Sequence, residues 1–134
     1  MTPYCRTELE ALQTIYADVK SSGGELVVFS AETTAITKGM ADKQKLKFPI
    51  VRDTDFDIAR SFGLLFTLPD DLKAAYQSFG LDLPKNTGYA AWELPVPSRF
   101  VVDRAGIVRA VDADPDYTVR SEPETTLAML RHIA

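Results

Sequence analysis

Apolar residues in the first part of the chain recur at the spacing of a helix. Leu9, Leu12, Tyr16 and Val19 lie three or four residues apart, with acidic residues between them. This spacing places all four on one side of a helix, as in an amphipathic helix that packs on a core. A pair of glycines follows, and glycine commonly ends a helix. The pattern predicts a helix over Thr2–Val19.

Short apolar runs and helical segments alternate along the rest of the chain. The runs are rich in valine and bounded by turn-forming residues, which favours strands. A proline followed by two aspartates is typical of a helix start, whereas the alternating Pro95 and Pro97 exclude a central strand. We predict strands at Leu26–Phe29, Phe48–Val51, Phe100–Asp103 and Ile107–Val111, helices at Ala35–Lys45, Asp55–Phe62, Pro69–Phe79 and from Ser121 onward, and loops at 82–89 and 112–116.

The predicted elements run in the order helix, strand, helix, strand, two helices, hairpin and helix. Such alternation is typical of an α/β layered fold with a mixed sheet. A chain of 134 residues suits one compact domain with its own core. We therefore expect a single α/β domain over residues 1–134.

Charge and hydropathy exclude several classes of partner. The formal net charge is −4 and no basic run occurs, which argues against binding to nucleic acid or to an anionic membrane surface. The longest apolar runs have the length of a strand, too short to span a bilayer. No charged leader precedes an apolar segment at the N-terminus. From these features we expect a cytoplasmic protein.

The chain contains one cysteine and one histidine, and this count limits its chemistry. An internal disulfide cannot form, and a Cys/His zinc site would need more ligands. A catalytic pair with histidine would have to use His132, which lies near the end of the last predicted helix. A cation there suits the helix dipole, so we interpret His132 as a surface residue. Cys5 remains as the candidate reactive group.

Cys5 falls in the first turn of the predicted first helix. Unpaired backbone N–H groups and the helix dipole favour negative charge at this position. Because the thiolate is the nucleophilic form of cysteine, such a position lowers the thiol pKa and raises reactivity. The hydroxyl of Thr2, three residues before, could donate a hydrogen bond to the thiolate. The alternative is that Cys5 is a small apolar core residue.

The segment Thr2–Leu12 resembles the active-site helix of peroxiredoxins, in which a Thr-x-x-Cys motif is often followed by Thr-Glu. The resemblance is closest to the peroxiredoxin-like branch of the alkyl hydroperoxide reductase and thiol-specific antioxidant (AhpC/TSA) family, in the thioredoxin-like superfamily. It continues in the same order through Phe48–Val51, Ala59–Leu64, Phe66–Pro69, Trp92–Pro97, Phe100–Arg109 and Asp114–Thr118.

This resemblance implies a three-layer thioredoxin-like fold and a thiol peroxidase that needs no metal or organic cofactor. Cys5 would be the peroxidatic cysteine, which attacks hydrogen peroxide or a small organic hydroperoxide and becomes a sulfenic acid. Thr2 would orient the peroxide and the thiolate. Pro97 is similar to the cis-proline that faces the active site in thioredoxin folds, so we expect a cis bond before it.

Two departures from the family pattern bear on the site. Peroxiredoxins typically carry an arginine where Pro97 stands, so Arg99 and Arg120 become the candidates to support the thiolate. Thr2 replaces the first cysteine of the Cys-x-x-Cys motif in this branch, so the enzyme would be of the one-cysteine type. An outside thiol, thioredoxin-like or of low molecular weight, would then regenerate Cys5. The resemblance is also compatible with a homodimer.

A third departure concerns the start of the chain. In the thioredoxin fold a central strand leads directly into the active-site helix, whereas Met1 lies just before the motif here. We therefore expect an N-terminally incomplete domain that lacks this strand and is a fragment of a longer protein. Two other functions remain open at this point: a redox-inactive thioredoxin-fold binding module, and an inactive fragment.

Overall fold

The computed structural model describes residues 3–88, 91–114 and 122–133, and for residues 3–5 it describes the backbone alone. Helices and strands alternate along these ranges. The helices are α1 (Pro3–Ser21), α2 (Thr34–Gln44), α3 (Asp57–Ser61), α4 (Asp70–Ser78), α5 (Leu83–Thr87) and α6 (Pro123–Ile133), and the strands are β1 (Val28–Ser30), β2 (Ile50–Arg52), β3 (Leu65–Thr67), β4 (Glu93–Pro95), β5 (Ser98–Val102) and β6 (Val108–Ala113).

The chain divides into two compact units. The first unit comprises Met1–Val28, Gln44–Pro49 and Pro97–Ala134, and the second comprises Phe29–Lys43 and Ile50–Val96. Helices α1 and α6 and strands β5 and β6 belong to the first unit. The remaining helices, β2, β3, β4 and most of β1 belong to the second. The expectation that the two units form a single domain remains a prediction.

The strands pair two by two among the described residues, as β1–β2, β3–β4 and β5–β6. The β5–β6 pair confirms the predicted hairpin: it is antiparallel, with Phe100 opposite Val111, and Gly106 in its turn has φ of +83°. The antiparallel β3–β4 pair, with Phe66 opposite Leu94, is absent from the prediction. Its strands have three residues each and end close to prolines, so their alternation is too short to detect.

The first unit has a core built on one side of α1. Leu9, Leu12, Ile15 and Val19 are all buried there, together with Leu127 from α6. Full burial of such a side chain contributes roughly 1.5–3 kcal/mol, so this side of α1 contributes substantially to the stability of the unit. The predicted stripe is confirmed with one change. Ile15 is buried in place of Tyr16, whose ring packs edge-on against Phe48 with centroids 5.8 Å apart.

The second unit departs from the prediction at two short helices. The predicted helix Asp55–Phe62 begins late, because Asp55 and Phe56 have left-handed backbone angles. The buried carboxylate of Asp53 accepts hydrogen bonds from the backbone N–H groups of Ile58 (2.7 Å) and Ala59 (2.9 Å), which satisfies the start of α3. The predicted loop 82–89 contains α5, with the Asp82 carboxylate accepting from the Lys85 N–H at 3.3 Å.

None of the helices that the structure describes is both long enough and apolar enough to cross a membrane.

The end of α1 is tied to the following segment by Glu25. Its carboxylate accepts hydrogen bonds from the Tyr16 hydroxyl (2.8 Å), the Lys20 Nζ (2.7 Å) and the Leu26 backbone N–H (2.9 Å). The hydrogen bonds from Lys20 and Tyr16 lower the Glu25 pKa from 4.5 to about 2. A depressed carboxyl pKa means that ionised Glu25 stabilises the folded state above its ordinary pKa.

We predict that Glu25→Gln lowers the thermal unfolding midpoint at pH 7, because the charged hydrogen bonds are lost. The difference from the wild type should shrink as the pH falls from about 4.5 towards 2, where wild-type Glu25 becomes protonated as well. Glu10→Gln provides the matched control, since Glu10 is exposed on the same helix. Thermal unfolding followed by circular dichroism measures the effect, and a midpoint difference independent of pH would contradict it.

Candidate functional site around the start of α1

Cys5 is the third residue of α1, in the first turn, as predicted. No acidic residue lies in that turn, so no neighbouring carboxylate within the turn opposes a thiolate. Thr2, predicted to orient the peroxide and the thiolate, lies outside the described residues, and so does Arg120. Their predicted roles stay predictions.

Pro97 directly precedes β5, but the predicted cis bond before it is wrong. The described residues contain no cis peptide bond, so the bond from Val96 to Pro97 is trans. The physical reason is that trans is the intrinsically favoured form of an X–Pro bond. Here Pro97 also continues from one strand, which ends at Pro95, to the next, which begins at Ser98.

Of the two candidate arginines, Arg99 lies within the described residues, and its side chain is largely buried. Its side chain is only 11 % exposed, so it is not a solvated surface charge. Arg99 and the buried Val101 lie two residues apart on β5, so their side chains face the same side of the strand. Its Nη2 donates to Oε1 of Glu8 at 2.8 Å, and its Nη1 donates to Oγ1 of Thr126 at 2.9 Å.

Glu8 brings this arginine to the helix that carries Cys5. Residues 5 and 8 of α1 are three apart, which makes them neighbours one turn apart on the helix surface. The ion pair between Glu8 and Arg99 therefore lies one turn beyond Cys5, within the first unit. We call Glu8, Arg99 and Thr126 the Arg99 network.

The Arg99 network places a positive charge against the carboxylate of Glu8, three residues after Cys5 on α1. Glu8 is 22 % exposed, so water screens its charge only in part. Alone, a carboxylate three residues from Cys5 would disfavour a thiolate through like-charge repulsion. The guanidinium of Arg99 offsets that charge at 2.8 Å. The arrangement is therefore compatible with a negative charge at residue 5.

Sequence reasoning identified Arg99 but missed Glu8 and Thr126 as its side-chain partners. A signal for Glu8 existed, since it follows Cys5 by three positions on a predicted helix. No comparable signal existed for Thr126, which is separated from Arg99 by 27 residues. Contacts over such a distance along the chain depend on how β5 and α6 pack, and neither periodicity nor turn residues encode that packing.

Comparison with known families decides which group the chain belongs to. The family model described as the AhpC/TSA family matches residues 1–111. The chain belongs to the AhpC/TSA family. No curated protein matches it at a significant level. Membership in this family supports thiol peroxidase activity in general, and it does not favour a redox-inactive binding module.

Solved structures share the fold of this AhpC/TSA protein. Peroxidoxin BcpB from Mycobacterium tuberculosis has a TM-score of 0.74 at 18 % identity, covering 100 % of this chain and 73 % of its own. The bacterioferritin comigratory protein of Xanthomonas campestris gives 0.73 at 18 %, covering 99 % and 72 %. AhpC of Enterococcus faecalis gives 0.71 at 20 %, covering 98 % and 67 %. The expected α/β thioredoxin-like fold is confirmed.

We predict that Arg99→Met and Glu8→Gln each destabilise the protein by about 1–3 kcal/mol, because each removes the charge attraction between two largely buried side chains. The double variant should lose less than the sum of the two single variants. Urea unfolding measures all three. Arg104→Met is the control, since Arg104 is exposed at the hairpin turn. Equal losses for Arg99→Met and Arg104→Met would contradict the prediction.

Proposed function

We propose that this AhpC/TSA protein is a thiol peroxidase of the one-cysteine type, with Cys5 as the peroxidatic residue. One observation carries the proposal: Cys5 lies in the first turn of α1, and the Glu8–Arg99 ion pair lies one turn further along the same helix. The helix start favours a thiolate. The ion pair keeps the carboxylate of Glu8 from opposing it.

The reaction begins with attack of the Cys5 thiolate on the terminal oxygen of the peroxide. A sulfur–oxygen bond forms while the oxygen–oxygen bond breaks, and the leaving alkoxide or hydroxide takes up a proton. Cys5 is oxidised to a sulfenic acid, and the peroxide is reduced to an alcohol or to water. Hydrogen peroxide and small organic hydroperoxides are the substrates. Reported alkyl peroxide reduction by the structurally similar Xanthomonas campestris protein supports the second class.

The chain has no second cysteine, so an outside thiol completes the cycle. That thiol, thioredoxin-like or of low molecular weight, condenses with the sulfenic acid to give a mixed disulfide and water. A second equivalent of thiol attacks this disulfide, releases reduced Cys5 and leaves as an oxidised thiol pair. No metal or organic cofactor enters these steps. A homodimer and a cytoplasmic location fit the same proposal.

The other sequence candidates take supporting roles in this proposal. Thr2 orients the peroxide and donates a hydrogen bond to the thiolate. Pro97, in its trans form, shapes the entry to β5 and so helps to place Arg99. Arg99 takes the part of the arginine that peroxiredoxins typically carry at the position of Pro97. Arg120 remains a further candidate to support the charge that develops during the reaction.

We predict that hydrogen peroxide oxidises Cys5 to a sulfenic acid far faster than it oxidises a free thiol such as N-acetylcysteine in the same solution. A dimedone-type probe and mass spectrometry measure the product. Cys5→Ser should give no adduct, because the chain has no other cysteine. Equal rates for Cys5 and the free thiol would reject the peroxidase and leave a redox-inactive binding module.

We predict that Arg99→Met raises the pH midpoint for alkylation of Cys5 by iodoacetamide, because Arg99 then no longer offsets the charge of Glu8 and the thiolate becomes less favourable. Peroxide oxidation at pH 7 should slow in parallel. Arg99→Lys should restore part of the effect, since it keeps the charge without the planar fork. An unchanged midpoint in Arg99→Met, with Arg104→Met as the control, would show that Arg99 does not act on Cys5.

A further inference from the structure

We infer that the first unit carries a binding site for a small carboxylic acid with an apolar tail, bound as its monoanion. The site is a cleft of about 430 Å³ between the β5–β6 hairpin and α6, and its lining includes Asp103, Arg109, Met129, His132 and Ile133. All of these residues belong to the first unit. The volume lies towards the lower end of the range for small-molecule sites. We call it the Arg109 cleft.

The Arg109 cleft lies away from the start of α1. The turn of the hairpin is close to the segment that follows α1, since a Cβ atom at Gly23 would lie 3.4 Å from Nη2 of Arg104. Leu130 of α6 likewise lies against Gly24. Helix α1 has 19 residues and is therefore about 28 Å long, with Cys5 in its first turn. The cleft is thus separate from the candidate peroxidase site.

Arg109 is oriented by the carboxylate of Asp103. Oδ1 of Asp103 accepts hydrogen bonds from the backbone N–H groups of Ala105 at 2.9 Å and Ile107 at 3.0 Å. Oδ2 accepts a hydrogen bond from Nε of Arg109 at 2.7 Å. The hairpin turn therefore fixes the carboxylate. Because the guanidinium is planar and rigid, a bond at Nε also restricts where its other two nitrogen atoms lie.

The outer edge of the Arg109 guanidinium is available to a ligand. Among the residues that the structure describes, Nη1 and Nη2 of Arg109 have no hydrogen-bond partner, and the side chain is 50 % exposed. This edge presents two parallel N–H donors, a geometry that matches the two oxygens of a carboxylate. Asp103 holds the guanidinium from one side and leaves this edge for an anion.

Helix α6 supplies the other side of the cleft. Met129 precedes His132 by three residues and Ile133 by four, so the three side chains share one side of the helix. The exposed imidazole of His132 can donate a hydrogen bond to a carboxylate oxygen. The half-buried side chains of Met129 and Ile133 provide an apolar surface beside it. A ligand with a carboxylate and an apolar tail satisfies both parts.

The charges of the cleft favour a monoanion over a dianion. Asp103 stays ionised, because the hydrogen bonds from the Ile107 N–H and then from Arg109 hold its pKa below the ordinary value. Ionised Asp103 balances Arg109, so the three side chains together are neutral when His132 is neutral and carry a single positive charge when it is protonated. A dianion such as phosphate would bring more negative charge than these groups can offset.

The test uses hexanoate, a monoanion with an apolar tail, and follows the isotopically labelled full chain by nuclear magnetic resonance. We expect saturable shifts of the Met129 methyl signal and of the backbone amides of Arg109 and His132. The Kd should be on the order of 1 mM, the affinity within reach of a ligand with so few atoms. Hexanol, which lacks the charge, and inorganic phosphate should each bind about tenfold more weakly or worse.

Variants of the cleft residues identify the groups that bind hexanoate. Arg109→Gln should raise the Kd by about tenfold or more, and Arg109→Lys should raise it less, since it keeps the charge without the fork. His132→Gln should give a smaller increase than Arg109→Gln. Arg131→Gln is the matched control, because Arg131 is an exposed cation on the same helix, and it should leave the Kd unchanged.

The inference is overturned if the shifts rise without saturating, if hexanol or phosphate binds as tightly as hexanoate, or if Arg109→Gln binds like Arg131→Gln. Should Arg109→Gln fail to fold by circular dichroism, Arg109→Lys is compared with Arg131→Gln in its place. Cys5→Ser should bind hexanoate like the wild type, because the cleft is separate from Cys5. A failure of the proposed peroxidase reaction therefore leaves this inference standing, and the reverse also holds.

Discussion

The ion pair between Glu8 and Arg99 joins the parts of the first unit that matter for chemistry. Apolar packing of α1 contributes to the stability of the unit, but packing of leucine and valine fixes position only as far as side-chain shapes allow. A hydrogen-bonded ion pair that is mostly buried tolerates less displacement of its two side chains than apolar packing does. A charged side chain that moves away from its partner loses the attraction while it stays shielded from water. The pair thereby fixes how the first turns of α1 lie against β5.

The fold follows from the sequence wherever a pattern is long enough to repeat. Helix α1 shows its period over about three turns, and the β5–β6 hairpin combines apolar runs with Gly106 in its turn. Strands β3 and β4 have three residues each, which is too short for alternation to appear. The start of helix α5 could have been recognised from Asp82 as the N-cap and Pro84 in the first turn. The composition of the segment suggested a loop instead.

The candidate site was predictable in its local part only. The position of Cys5 in the first turn of α1 depends on residues close in sequence, and it agrees with the prediction. The partners of Arg99 depend on tertiary packing, so a lone arginine after a proline gave no indication of Glu8 or Thr126. The cis bond before Pro97 was inferred from the family resemblance alone. The geometry of that bond depends on the neighbouring residues of this chain, which a family resemblance does not specify.

The Arg99 network also changes how an arginine supports a thiolate in this chain. A free guanidinium would attract a thiolate directly, whereas Arg99 is already neutralised by Glu8 at 2.8 Å. In the proposed function, its main electrostatic effect on Cys5 is therefore to offset the charge of Glu8, while the attraction comes from the start of α1 itself. Attraction by the helix start comes from the backbone of α1, whereas the offset depends on side chains of α1, β5 and α6. The proposal therefore makes reactivity at Cys5 sensitive to residues far from it in sequence.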